Sequence, residues 1–380
     1  MPPQGSFWPT RTQALLLRTA LAEPDLQLAA WRQLGPAFDL RTLEPGSISV
    51  LPLIYRNLSR GLPEETRLPH LKGVYRSAWV KNNLLADQLA AALDAYDSAG
   101  VDGVLVGSLG AAVRYYPEFG LRPSPALEFV VERGALLTAS RALGRLGWSA
   151  ATSARADDEQ PIALVNSHGQ VCVLRTMAAV ELSLDHGALL RESVAVQVGR
   201  STVRAPSAEH DLLAACAAGG RMKPVPSVQW LVDVARIAQA ATPELDWERV
   251  LGLAREQGQA VRVHGTVAYL GNTLDVSLPA GAGRLRETPR VPVRERLAYR
   301  CAGAPATGLG SLPQAIGEHL NATRSSSGIE AVITFPEYLR RRWQLEHRWQ
   351  LPIAGGRRIF DRITNRARPD RDLSGDRSAV

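Results

Sequence analysis

Apolar positions recur at helical spacing over the first hundred residues. Leu15, Leu16, Leu17 and Leu21 return at intervals of three to four, and a long amphipathic pattern runs from Leu68 through Trp79, Leu84, Leu85, Leu89 and Leu93 to Tyr96. Gly100 supplies a stop, because a helix commonly ends in a left-handed residue that glycine adopts without a steric cost. The pattern then shortens. Apolar runs at 104–106, 127–131, 162–165, 171–174 and 180–184, bounded by Gly, Pro, Asp and Ser, predict strands, with a helix over 135–146. Strands mixed with few helices imply an α+β sheet domain. Helical spacing returns at Ser207, a residue suited to an N-cap, and continues over 212–218, 228–241, 247–257 and 261–274. Beyond Gly281 the chain is mixed, with a helix over 335–349 and a polar, unanchored stretch past Pro369 that is expected to be disordered. These changes divide the sequence into helical 1–100, α+β 101–205, helical 206–280, mixed and basic 281–368, and a tail over 369–380.

With 45% hydrophobic and 21% charged residues, the 380-residue chain has the composition of a folded protein able to bury a large core. Its net charge of +7 would suit an anionic partner. That charge is almost all Arg, however, with Lys only at Lys72, Lys81 and Lys223, as a GC-rich coding sequence would give whatever the function. Cys172, Cys216 and Cys301 are far apart and form no CxxC pair, so neither a zinc site nor a disulfide framework is indicated. No leader pattern and no apolar run long enough for a bilayer is present, and a cytoplasmic protein without membrane contact is expected. His168, His186, His210 and His264 lack metal-ligand spacing. The Arg-rich C-terminal stretch, Arg340 to Arg368, has Trp343, Trp349, Ile359 and Phe360 interspersed, which favours an amphipathic helix docking on protein over a nucleic-acid contact.

Chemistry concentrates between residues 101 and 132. An apolar run ends in Gly107-Ser108-Leu109-Gly110, a strand-to-helix turn able to offer backbone N–H groups and a hydroxyl to phosphate at the positive end of a helix dipole. Such a turn also fits a purely structural role. The second run holds Ala126-Leu127-Glu128, and alternate strand residues share a face, so Ala126 and Glu128 point together. Carboxylates in that alternation suit a divalent cation, which prefers hard oxygen ligands, but Ala126 has no oxygen to give. Glu181, in Val180-Glu181-Leu182, has the alternation to lie beside Glu128, and Asp185 is a weaker candidate. Glu128 could equally be a solvated strand-edge acid and Arg122 a surface ion pair.

Several strings together carry a family resemblance over residues 10–280. Leu51-Pro52-Leu53-Ile54-Tyr55-Arg56-Asn57-Leu58, then Leu71-Lys72-Gly73-Val74-Tyr75-Arg76 with Trp79 and Asn82, lead to Tyr116-Pro117, Gly120-Leu121-Arg122-Pro123 and the acidic strand. Val180-Glu181-Leu182, Trp230-Leu231-Val232-Asp233-Val234-Ala235 and Asp246-Trp247 follow in order. In that order they resemble the uncharacterised bacterial nucleotidyltransferases of the polymerase-beta-like superfamily. The resemblance implies a polymerase-beta-like sheet domain flanked by N-terminal and C-terminal helical segments. It further implies Mg2+ held by Glu128 and Glu181, a nucleoside triphosphate at Gly107 and Ser108, Arg122 offsetting phosphate charge, and transfer of a nucleoside monophosphate to an unknown acceptor.

The departures from the family pattern bear on that activity. Ala126 and Glu128 stand where relatives carry two Asp, Val106-Gly107 where they carry Lys-Gly, and Ser183 where they carry His, while the histidines common in the next helical segment are absent between Leu212 and Arg221. Losing a bridging carboxylate weakens chemistry that rests on positioning and electrostatics. Two expectations stand side by side: a metal-dependent transferase, and a catalytically impaired pseudoenzyme serving as a binding or scaffolding subunit.

Overall fold

The computed structural model describes residues 7–151, 161–177, 186–219, 227–286, 291–304, 312–323, 328–343 and 345–356. The described residues from 7 to 286 form one compact unit and those from 291 to 356 belong to a second. The expected strand over 180–184, with Glu181 and Asp185, and the tail over 369–380 lie outside the described residues.

The chain begins with helices α1 (Arg11–Leu21), α2 (Pro24–Leu34), α3 (Pro45–Ile48), α4 (Leu51–Gly61) and α5 (Leu68–Ala99). Thr10 caps α1 reciprocally with Gln13, satisfying two backbone N–H groups that the helix itself leaves unpaired. Helix α5 ends where its sequence asks it to, with Gly100 at φ 63° and Val101 N–H returning to the Tyr96 carbonyl.

The next elements are β1 (Gly103–Leu105), α6 (Gly107–Tyr115), β2 (Ala126–Val131), α7 (Leu136–Gly144), β3 (Ser149–Ala150), β4 (Ile162–Val165), β5 (Val171–Arg175), α8 (His186–Arg191), β6 (Val194–Val198) and β7 (Ser201–Ala205). Among the described residues the strands make one mixed seven-stranded sheet in the order β3-β4-β5-β2-β1-β7-β6. Strand β2 runs antiparallel to β1 and parallel to β5, with Leu127 opposite Cys172 and Glu128 opposite Val173.

Alternation along β2 separates core from site. Leu127, Phe129 and Val131 face α5 and α7, where they join Leu85, Leu89, Tyr96, Leu136 and Leu143 in the principal hydrophobic core. Phe129 and Tyr96 meet edge to face with centroids 5.1 Å apart. Each such buried side chain contributes about 2 kcal/mol, enough to fix which face of β2 points inward. Ala126, Glu128 and Val130 occupy the opposite face.

Helices α9 (Ala208–Ala218), α10 (Gln229–Ala240), α11 (Trp247–Glu256) and α12 (Ala260–Asn272) complete the first unit. Ser207 accepts from the His210 N–H and caps α9 as its position suggests. Helix α6 packs against both β2 and α10, so the sheet and the later helices share one body.

The second unit contains α13 (Val293–Ala302), α14 (Leu312–Ala322) and α15 (Gly328–Arg342). Helix α15 starts and stops earlier than the 335–349 expected from periodicity. Its end is set by Arg340, whose guanidinium donates to the Leu345 and Glu346 carbonyls beyond the last turn. Trp349 falls in a separate 3-10 turn, Arg348–Gln350.

Candidate functional site

The strings that the sequence offers as motifs are held together by one buried network. Asn82 on α5 is fully buried; its Nδ2 donates to the Phe119 and Arg122 carbonyls at 2.5 and 2.9 Å, and its Oδ1 accepts from the Ser124 N–H at 3.0 Å. Gly120 is required at the closest approach, since a Cβ there would lie 2.8 Å from the Tyr75 ring and 2.9 Å from Trp79 Cβ. Arg56 and Tyr75 both donate to Glu118.

The loop so fixed presents Arg122 to α10. Its Nε and Nη2 donate to the two oxygens of Asp233 at 2.8 and 2.9 Å, and Nη1 donates to the Pro123 carbonyl. One N–H on each terminal nitrogen is left over by valence. Tyr116 also donates to Asp233 at 2.6 Å, and Gln229 donates to both. Burial and the neighbouring Asp233 push the Tyr116 phenol well above its ordinary range. Burial opposes the charge on Arg122, but Asp233 and Tyr116 outweigh it and raise its pKa.

Beside this network a cleft of about 1180 Å³ opens within the first unit. Its floor is the turn into α6 with β2 and β5, and its walls come from α3 and α5 on one side and α9 and α10 on the other. Gly107, Ser108, Arg122 and Glu128, expected from sequence as site residues, all line it. Glu181 lies outside the described residues.

Gly107 has φ +76°, a left-handed conformation suited to glycine, and a Cβ at this position would sit 2.5 Å from Glu128 Oε1. The carboxylate thus lies against the first turn of α6, at the positive end of its dipole. Ser108 is 4% exposed, and among the described residues its Oγ has no hydrogen-bond partner.

Two further charged groups, unmarked in the sequence reading, share the cleft. Arg175, at the end of β5, donates from Nη2 to Glu128 Oε2 at 3.0 Å, while its buried Nε has no partner among the described residues. Asp211 on α9 accepts from Arg114 and from the Tyr115 hydroxyl through Oδ2. Burial pushes the Asp211 carboxyl up to about 6 despite the opposing pull of Arg114 and Tyr115. Arg175 could have been found by period-two alternation from Val173, had the β2–β5 pairing been known. Asp211 had only its place in the first turn of an otherwise apolar helix to mark it.

Among the described residues the donors do not by themselves make a magnesium site. Ala126 offers a methyl group, Glu128 is already matched by a guanidinium, and no cluster of three or more His, Cys, Asp or Glu among the described residues is placed to hold a metal ion. Burial pushes the Cys172 and Cys216 thiols up to about 12, which leaves them inert packing groups.

In the second unit, Arg340, Arg341 and Arg348 are all engaged by Glu337, and Arg342 by Glu318, so these cations are spent on local ion pairs. Among the described residues no helix is long and apolar enough to cross a membrane.

A mixed sheet with a glycine-serine turn entering a helix beside a strand that carries Glu128 is the arrangement expected from the nucleotidyltransferase resemblance. Residues 48–275 match the sequence profile of a family described as uncharacterised nucleotidyltransferase; the match spans more than half of the chain, and the chain belongs to that family. Among solved structures, an antigenic nucleotidyltransferase-like protein from Paracoccidioides brasiliensis is similar over 53% of this chain and 95% of its own, at 12% identity and a TM-score of 0.34. No curated protein matches.

Proposed function

We propose that this chain binds a nucleoside triphosphate in the cleft, with the phosphates at the first turn of α6, and that its capacity for nucleotidyl transfer is impaired. One convergence supports this: Gly107, the Ser108 hydroxyl, unpartnered among the described residues, Arg175 and Arg122 line the same cleft, giving anion donors beside a strand whose position 126 carries a methyl group in place of a carboxylate. The chain then serves as a binding or scaffolding subunit. Titration calorimetry with each nucleoside triphosphate, alongside an assay for pyrophosphate release, tests it. Binding without turnover is the expected result. Robust magnesium-dependent release that disappears in Glu128→Gln would overturn it.

A second reading, transfer of the nucleoside monophosphate to an acceptor with Mg2+ at Glu128 and Glu181, is favoured by Asp211. That carboxylate lines the cleft, is pushed up to about 6 by burial and, among the described residues, accepts hydrogen bonds through Oδ2, which leaves Oδ1 to receive a proton from an acceptor hydroxyl. Pyrophosphate release that falls in Asp211→Asn as well as Glu128→Gln would favour this reading.

A further inference from the structure

We propose that the cleft takes its polyphosphate free of divalent cation, with the Arg175 guanidinium supplying the positive charge that a metal would otherwise bring. The inference rests on the triphosphate-binding reading above and deepens it by naming the ionic form of the ligand.

A metal between strand acids and phosphate needs anionic ligands whose charge is uncompensated. Among the described residues of the strands beside the cleft, position 126 offers none, and Glu128 Oε2 already accepts from Arg175 Nη2 at 3.0 Å. A dication arriving at Glu128 would meet a guanidinium a few ångströms away and be repelled by it. The same guanidinium is a ready phosphate ligand, since its planar fork matches two phosphate oxygens.

Two buried donors remain unspent among the described residues. Arg175 Nε and Ser108 Oγ both lack partners, and unsatisfied buried polar atoms are uncommon enough to require a cause. Both belong to residues that line the cleft around Gly107. A phosphate group there would accept from the hydroxyl, from the guanidinium and from the unpaired N–H groups of the first turn of α6. Glu128 then acts as a stand-in anion that holds Arg175 in place and competes with the ligand. Lys81, on the cleft wall, adds charge at longer range.

The experiment is titration calorimetry of the full chain with ATP and, separately, with inorganic triphosphate, each in EDTA and in excess magnesium. Affinity in EDTA equal to or tighter than in magnesium supports the inference, and binding seen only with magnesium overturns it while leaving the triphosphate reading intact. No binding in either buffer removes both. Inorganic triphosphate binding as well as ATP places the recognition in the phosphates; ATP alone binding in EDTA still supports a metal-free site, with the nucleoside contributing.

Arg175→Met is expected to weaken binding in EDTA by about tenfold or more, and Glu128→Gln to strengthen it. Because Arg175→Met strands a buried carboxylate, the Arg175→Met/Glu128→Gln double variant keeps charge balance. If it melts like the Glu128→Gln single variant and binds as tightly in EDTA as that variant does, Arg175 is not the counter-charge and the proposal fails. The native chain in the two buffers decides the metal question whether or not any variant folds.

Discussion

The carboxylate of Glu128 lies against Gly107 so closely that a methyl group there would stand 2.5 Å from Oε1. Gly107→Ala therefore combines a steric clash with strain at φ +76°. The expected cost is about 1–3 kcal/mol in urea unfolding, together with weaker triphosphate binding as the first turn of α6 shifts away from the phosphate position. A variant that binds and unfolds like the native chain would contradict this geometry.

The Arg122–Asp233 pair is a structural bolt as well as part of the cleft wall. Asp233→Ala leaves a buried guanidinium uncompensated and should destabilise the protein by about 3–5 kcal/mol. Arg122→Met/Asp233→Leu should recover most of that loss. Thermal melts compare the two, and triphosphate binding by the recovered double variant separates a phosphate-holding role for Arg122 from a purely structural one.

Asn82 satisfies three backbone groups of the loop between α6 and β2. Asn82→Ala should cost about 2–3 kcal/mol, the sum of three unmade hydrogen bonds in a buried place. Asn82→Asp should cost more than Asn82→Gln, because a carboxylate has no donor to offer the two carbonyls. Chemical denaturation of the three variants checks the order.

Asp211 titrates near 6 against an ordinary 3.8. A carboxyl raised in the folded state stabilises it most below the unfolded value, and that contribution is lost as pH climbs through the folded one. Stability assignable to Asp211 should therefore decline between pH about 4 and about 6, by up to roughly 3 kcal/mol. Urea unfolding across that window should show a slope in the native chain that Asp211→Asn lacks. Parallel slopes would show that burial does not perturb this group.

Much of the scaffold was legible because periodicity reports burial directly. Helix α5 and its glycine stop, strands β2, β4 and β5, and helices α9 to α12 fall where apolar spacing places them. The β6–β7 hairpin carried its own signal, alternation about Gly199 at φ +58°, but runs of Val, Ala and Thr between polar residues are weak evidence without a partner strand. Gly107, Ser108, Arg122 and Glu128 were readable as separate candidates. What could not be read was partnership: Arg122 and Asp233 are 111 residues apart, and Arg175 reaches Glu128 only through a parallel pairing that no local pattern encodes. The spacing of Tyr116, Gly120 to Pro123 and Trp230 to Asp233 carries the family resemblance, whereas only the contacts of Tyr116 and Arg122 with Asp233 show how these residues hold one another in this chain.

Strand β2 has a last consequence. Its odd-numbered residues fill the principal core while Glu128, on the opposite face, meets the cleft, so a shift of pairing by a single residue would drive Glu128 into hydrocarbon and turn Phe129 out toward the ligand's place. The hydrophobic packing behind the sheet is thereby also the gauge that aligns the charged groups in front of it, and changes made far behind the cleft will be felt as altered affinity before they are felt as unfolding.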